Sequence, residues 1–455
     1  MPFMIKLLRL SLAFIAAFAF TAQPAMAQSI LRDAETEALF HEMSVPIIKA
    51  AGLSPASVRI VLIGDRSINA FTAGGQDVFI NSGLVAAADN ANEVQGVIAH
   101  ELGHVAGGHV TIRSAEGIKQ ATGISILSLL LGAAAIAAGA GEAGAGILGL
   151  GQSVAQATYL GFSRTIEATA DASAQTYLTK TGTSGKGMIS FFKKLQGLEF
   201  RYGATTAESF ASDHPLTGDR IAILQDKFQA DPAWNTPTDP LLEARFQRIK
   251  AKLKGFANDP SQTLIDYPES NKSIPARYAR AYAWHKSAYP EKALAEVNSL
   301  VASAPHDPYF LELKGQILLE SGRPAEALPV LREAVNITEA QPLIASLFGH
   351  ALIATEDPAN IPEAQKVLKA SINRDNDNPF AWYQLGVVYD QQGDSARASM
   401  ATAERYHLEG NPKLALANAE VAVHGLPTGS PDWIRAQDIE LVSRTEVEKT
   451  KKRRR

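Results

Sequence analysis

Apolar residues fall at helical spacing over residues 33–51, and the pattern then changes. Residues 58–63 and 78–80 are short runs of β-branched and aromatic side chains, which predict two strands. Residues 68–71 predict a third between them, and Gly74-Gly75 supply the hairpin turn. A small mixed sheet is expected, followed by a helix over residues 92–105. Residues 163–171 predict another helix, rich in alanine, and residues 241–254 an amphipathic basic one that closes this part of the chain.

From about residue 274 the pattern becomes a repeat. Ala281, Gly315 and Gly349 stand 34 apart, as do Ala293 and Ala327. Gly386 and Ala398 continue the two series after a slip of three residues located at 357–361. Small residues at fixed positions let paired helices pack closely, and this period is that of tetratricopeptide repeats. Trp382, Leu385, Gly386 and Tyr389 give the fullest repeat signature. Residues 270–435 are therefore expected to form about four repeats stacked as a solenoid, whose concave face selects partners.

Composition adds boundaries. The 43 basic and 47 acidic residues give no bulk charge for a nucleic-acid partner. Cysteine is absent, which excludes thiolate metal sites, disulfides and a lipid-modified N-terminus. Lys6 and Arg9, an apolar core over 10–20 and Ala25-Met26-Ala27 predict a secretory leader at residues 1–27. Between 120 and 163 the one charged residue is Glu142. Residues 124–140 are apolar enough to cross a bilayer and 147–162 could return. The glycine content and Gln152 and Gln156 favour a lid over the active site, touching at most a membrane surface. Residues 446–455 form a basic tail expected to be disordered and solvated.

The candidate chemistry lies in His100-Glu101-Leu102-Gly103-His104. On a helix the two histidines stand one turn apart on one face and can grip one metal ion, with Glu101 beside them to take a proton from a metal-activated water. His109 is one residue short of the extended pattern that would make it a third ligand, and a one-residue slip turns a side chain by about 100°. It is read as a local polar residue. Glu167 and Asp171, four apart on the alanine-rich helix, suit a third ligand and an acceptor for the free ring N–H of a ligating histidine. This is the two-helix arrangement of the gluzincins. Pro215 disfavours helix at His214 and places it on a loop. There it can serve as an oxyanion donor, an extra metal ligand or a surface residue.

His100 to His104 followed by Ser163-Arg164-x-x-Glu167-x-x-x-Asp171 resembles the peptidase family that holds the CAAX prenyl endopeptidases and the bacterial Oma1-like proteases. Asn69-Ala70-Phe71, Gly74-Gly75 and Ser82-Gly83-Leu84 resemble that family's segment before the catalytic helix, and Asp213-His214-Pro215 with Arg220 its His-Pro element. The resemblance implies an α+β gluzincin-type zinc metallopeptidase domain at residues 28–257, followed by an all-α tetratricopeptide-repeat solenoid. It implies one Zn2+ per chain, held by His100, His104 and Glu167. Further implications are a substrate strand at Asn69 to Phe71, His214 as a silencing zinc ligand and Arg220 pairing with a carboxylate. The implied setting is the periplasm of a Gram-negative bacterium. There the repeats would choose misassembled outer-membrane proteins or dock on the outer-membrane assembly machinery. The alternative is a chaperone or scaffold with a latent zinc site, and Glu101 separates the two because only hydrolysis needs it.

Overall fold

The computed structural model describes residues 30–109, 127–128, 141–202, 214 and 216–453. The expected leader at 1–27 lies outside these residues, as do residues 120–126 and 129–140 of the apolar 120–162 stretch. Helix α1 (Ala34–Ala50) opens on Asp33, whose side chain accepts from the Thr36 N–H and so caps the first turn. Strands β1 (Arg59–Ile63), β2 (Ala70–Thr72) and β3 (Asp77–Asn81) form a mixed sheet of order β1-β3-β2. β1 runs parallel to β3 with Ile60 opposite Val78, and β2 runs antiparallel with Phe71 opposite Phe79. Gly74 and Gly75 turn the β2–β3 hairpin at φ of 101° and 66°, a backbone region open to glycine.

After the short helix α2 (Ser82–Ala87) comes α3 (Ala91–Ala106), buried continuously from Ala91 to His104. A helix so enclosed can carry polar groups only if each finds a partner. Glu93 near its start is held by Lys194 at 2.8 Å and by Ser190 at 2.7 Å. Helix α4 (Gly141–Thr181) packs along α3. The two backbones approach so closely at Gly103 that a Cβ there would stand 2.7 Å from the Ala170 carbonyl oxygen. The glycine-rich run from 141, expected to be a poor helix former, is helical because it extends a helix anchored by the packed turns at 163–181. Helices α5 (Lys186–Tyr202), α6 (Gly218–Gln229) and α7 (Pro240–Ala257) complete the core.

The short helix α8 (Pro260–Asp266) leads into paired helices: α9 (Ile274–Lys286) with α10 (Pro290–Ser303), α11 (Pro308–Glu320) with α12 (Pro324–Ile337), α13 (Pro342–Ala354) with α14 (Ile361–Arg374), and α15 (Pro379–Gln391) with α16 (Ser395–Leu408). Proline sits in the first turn of most of them, where its missing N–H costs no hydrogen bond. The small repeat positions set the spacing. A Cβ on Gly315 would come within 2.4 Å of Leu331 on the partner helix. A fifth pair follows, α17 (Pro412–Gly425) with α18 (Pro431–Arg453). The basic residues 446–453 are thus the last turns of α18 rather than a disordered tail, and cations at that end complement the helix dipole. Among the described residues no helix is long and apolar enough to cross a membrane.

The two parts meet through buried charge. Arg248 of α7 pairs with Glu35 of α1 and with Asp307 before α11 at 2.5 Å, its guanidinium 4.4 Å from the Phe310 ring centroid. Tyr278 of α9 donates to Glu35 at 2.8 Å, and buried Lys252 pairs with Asp33. Beside this group Glu312 of α11 lines a cavity of about 200 Å³, its Oε2 sealed from solvent and without a hydrogen-bond partner. Burial, partly offset by Lys252 and reinforced by Asp33 and Glu35, pushes the Glu312 carboxyl up to about 8. The folded chain therefore holds a proton there that the unfolded chain releases above the ordinary carboxylate range, so stability falls as pH rises towards 8. Glu312→Gln is expected to flatten that decline in denaturant titrations across this window.

Candidate metal centre

The Nε2 atoms of His100 and His104, one turn apart on α3, lie 3.1 Å from each other. α4 brings Glu167 to them, Oε2 3.4 Å from His100 Nε2 and Oε1 3.5 Å from His104 Nε2. His214 completes the group, its Nδ1 3.2 Å from His100 Nε2 and 3.1 Å from Glu167 Oε2. The four donor atoms lie within 4.8 Å of one another, and none of the four residues is more than 5% exposed. Donors at bond lengths of ~2.0–2.1 Å in a tetrahedral site are separated by about 3.3 Å. The separations here match that, so three imidazoles and a carboxylate fit a divalent metal.

The outer partners fix the rings. For His100 and His104 to turn Nε2 lone pairs inward, each must carry its proton on Nδ1. His100 Nδ1 then faces Asp171 Oδ1 at 3.0 Å, and His104 Nδ1 donates to His109 Nδ1 at 3.0 Å. Arg220 braces both carboxylates, with Nη2 2.9 Å from Asp171 Oδ1 and 3.2 Å from Glu167 Oε2. Phe192 packs edge-on against His100 with ring centroids 5.7 Å apart and backs the guanidinium of Arg220. Glu101 is fully buried, with Oε1 3.5 Å from His214 Nε2.

Electrostatics define what the pocket favours. Burial would raise the Glu167 carboxyl, but the charge of His214 and hydrogen bonds from His100, His104 and His214 hold it well below the usual range. Asp171 is likewise kept low against burial by Arg220 and His100. Burial drives His104 down to about 3, while for His100 the same effect is overcome by Asp171 and Glu167, which carry it up to about 9. Two anions in a dry site demand positive charge, which either a proton on His100 or a metal in its place provides.

The sequence-predicted residues separate cleanly. His100, Glu101, His104, Glu167, Asp171, His214 and Arg220 converge. Asn69, Ala70 and Phe71 do not join them. Ala70 and Phe71 lie in edge strand β2, which packs on α3, and Asn69 precedes it, its carbonyl accepting from Asn81 N–H. His109 is outside the donor group yet orients His104. Its role was hidden because the spacing argument asked only whether it could reach the metal.

Residues 31–227 match the model of peptidase family M48. The chain is 25% identical over 356 residues to the beta-barrel assembly-enhancing protease of Yersinia pestis, covering 77% of this chain and 71% of that one. It is 22% identical to the protein of that name from Escherichia coli K12, over 86% and 79% of the two chains. It is also 32% identical to the metalloprotease LoiP of the same organism, over 39% and 64%. Among solved structures, a tetratricopeptide repeat protein from Parabacteroides merdae aligns at 14% identity and a TM-score of 0.31, over 56% of this chain and 98% of that one. The N-terminal part of the chain is an M48 peptidase domain, a helical repeat region follows, and the protein is a metalloprotease with a metal cofactor.

Glu167→Ala should remove nearly all bound metal from the purified protein. His109→Ala should retain it with affinity lowered by about 10–100-fold, the usual effect of losing a ligand's orienting partner. Metal analysis under graded chelator separates the two outcomes.

Proposed function

We propose that this metalloprotease is a periplasmic zinc endopeptidase that acts on misassembled outer-membrane proteins, with one Zn2+ per chain held by His100, His104 and Glu167. The observation that carries this reading is the convergence of those side chains beside buried Glu101. That relatives are named for beta-barrel assembly supports the substrate class and the compartment. The helical repeats supply a surface for protein partners, including the assembly machinery.

When bound, zinc supplies Lewis acidity that activates water and polarises the peptide carbonyl. Glu101 accepts the proton of the attacking water and delivers it to the leaving amine. Its burial keeps that proton from bulk solvent. Asp171 and Arg220 hold His100 and Glu167 in place through turnover. Edge strand β2 beside α3 offers backbone groups that an extended substrate can pair with, which would align the scissile bond.

His214 makes this conformation latent. A catalytic site keeps one position open, whereas here a fourth protein donor stands 3.2 Å from His100 Nε2. Its Nε2 also faces Glu101, so the same imidazole occupies the place of water and engages the base. Activation requires His214 to move aside.

Glu101→Gln should keep the fold and the metal while abolishing casein hydrolysis, a loss on the order of 10²–10⁴-fold. Residual activity above about a tenth of wild type counts against the base assignment. His214→Ala should raise basal proteolysis at unchanged metal content. A fall by about 10²–10³-fold would instead make His214 an oxyanion donor.

A further inference from the structure

The sheet has a second edge, on the side away from β2. Five consecutive residues of this region, 58–62, line one cleft of about 770 Å³. Side chains alternate between faces along a strand, so a cleft that meets every residue in turn runs along the strand's edge. The far wall is built by the repeats, with Leu343 of α13, Phe380 at the start of α15 and Leu408 of α16. Phe380 is 41% exposed.

The chain itself shows how this edge pairs. Ile30 forms an antiparallel bridge with Ile63, and Leu31 N–H donates to the Leu62 carbonyl at 2.9 Å. Leu62 therefore turns its backbone groups outward, and by the period of two so does Ile60. Among the described residues no backbone hydrogen bond joins Arg59, Ile60 or Val61 to anything on that outer side. The pairing thus stops one strand position before Ile60, and the cleft begins there.

We propose that this cleft binds an extended polypeptide segment, which adds to β1 as a strand and presents alternate apolar side chains to the repeat wall. The rim selects its charge. Carboxylates of Glu37, Asp77, Asp375 and Asp377 outnumber the guanidinium groups of Arg32 and Arg59 around the cleft. Arg32 pairs with Asp375 at 2.8 Å and Arg59 with Asp77 at 2.7 Å, which leaves the exposed Asp377 with a longer 3.6 Å contact to Arg59. A segment with apolar residues in alternation and a lysine or arginine at its end fits. The cleft is also continuous with the Arg32–Asp375 contact between the two parts of the chain, so occupancy touches both at once.

The probe is a short peptide of alternating valine and threonine flanked by lysines. It is added to the full chain, and binding is read by fluorescence anisotropy and amide hydrogen exchange, so the result does not depend on hydrolysis. Exchange over residues 58–62 should slow on addition. Ile60→Pro deletes an outward N–H without touching a bond to β3, because proline is tolerated on a strand edge. It should weaken binding about tenfold, the worth of one hydrogen bond with its geometry, while small-peptide hydrolysis stays unchanged. Asp377→Lys, on an exposed loop, should weaken binding and reduce its salt dependence. Slowed exchange confined to β2, or unchanged affinity in both variants, would overturn the proposal.

Discussion

The structure rests on burying two carboxylates, Glu167 and Asp171, one turn apart on a helix pressed against another that carries two histidines. Neither anion can be dry without a cation. Arg220 answers for part of the charge and the metal position for the rest. Everything nearby follows from holding that balance. Gly103 lets α3 and α4 close to backbone contact, and Phe192 seals the flank of His100. His109 and Asp171 fix ring orientations that thermal motion would otherwise scramble.

The same logic recurs where the M48 domain meets the repeats. Arg248, Glu35, Asp307 and Tyr278 form a network that is charged, desolvated and mutually satisfied. Removing one partner from such a group leaves a buried charge, which typically costs about 3–5 kcal/mol. A network of this kind specifies one docking of the two parts, where an apolar contact would tolerate several. Glu312 is the weak member, kept neutral by burial beside a cavity.

Much of this was legible in the sequence, for physical reasons. Two histidines at helical spacing, and Glu167 with Asp171 at the same spacing, leave few alternatives once both segments are helices. The repeat was legible because small residues must recur wherever helices touch, as Gly315 against Leu331 shows. Less legible was whatever depends on contacts distant in sequence. His109 was set aside by a spacing argument that holds for the metal but says nothing of His104. The helix at 141–162 contradicted its glycine content because anchored turns override local propensity. The tail at 446–453 read as disordered by charge, yet it continues a helix whose packed turns lie upstream at Ala436, Ile439 and Ser443. Nothing in the sequence pointed to Arg248 as a contact between the two parts, since its partners lie at 35 and 307.

A three-stranded sheet with β1 at one edge and β2 at the other poses a geometric question about holding and cutting. β2 packs on the helix that bears Glu101, while β1 faces the repeats. With β3 between them the edges stand two strand spacings apart, about 10 Å. One extended segment cannot lie on both, so a polypeptide held at β1 reaches the metal only through a different stretch of itself or not at all. Grip and hydrolysis are then separable on one small sheet. A metalloprotease built this way can therefore retain a polypeptide at one edge without cleaving it at the other.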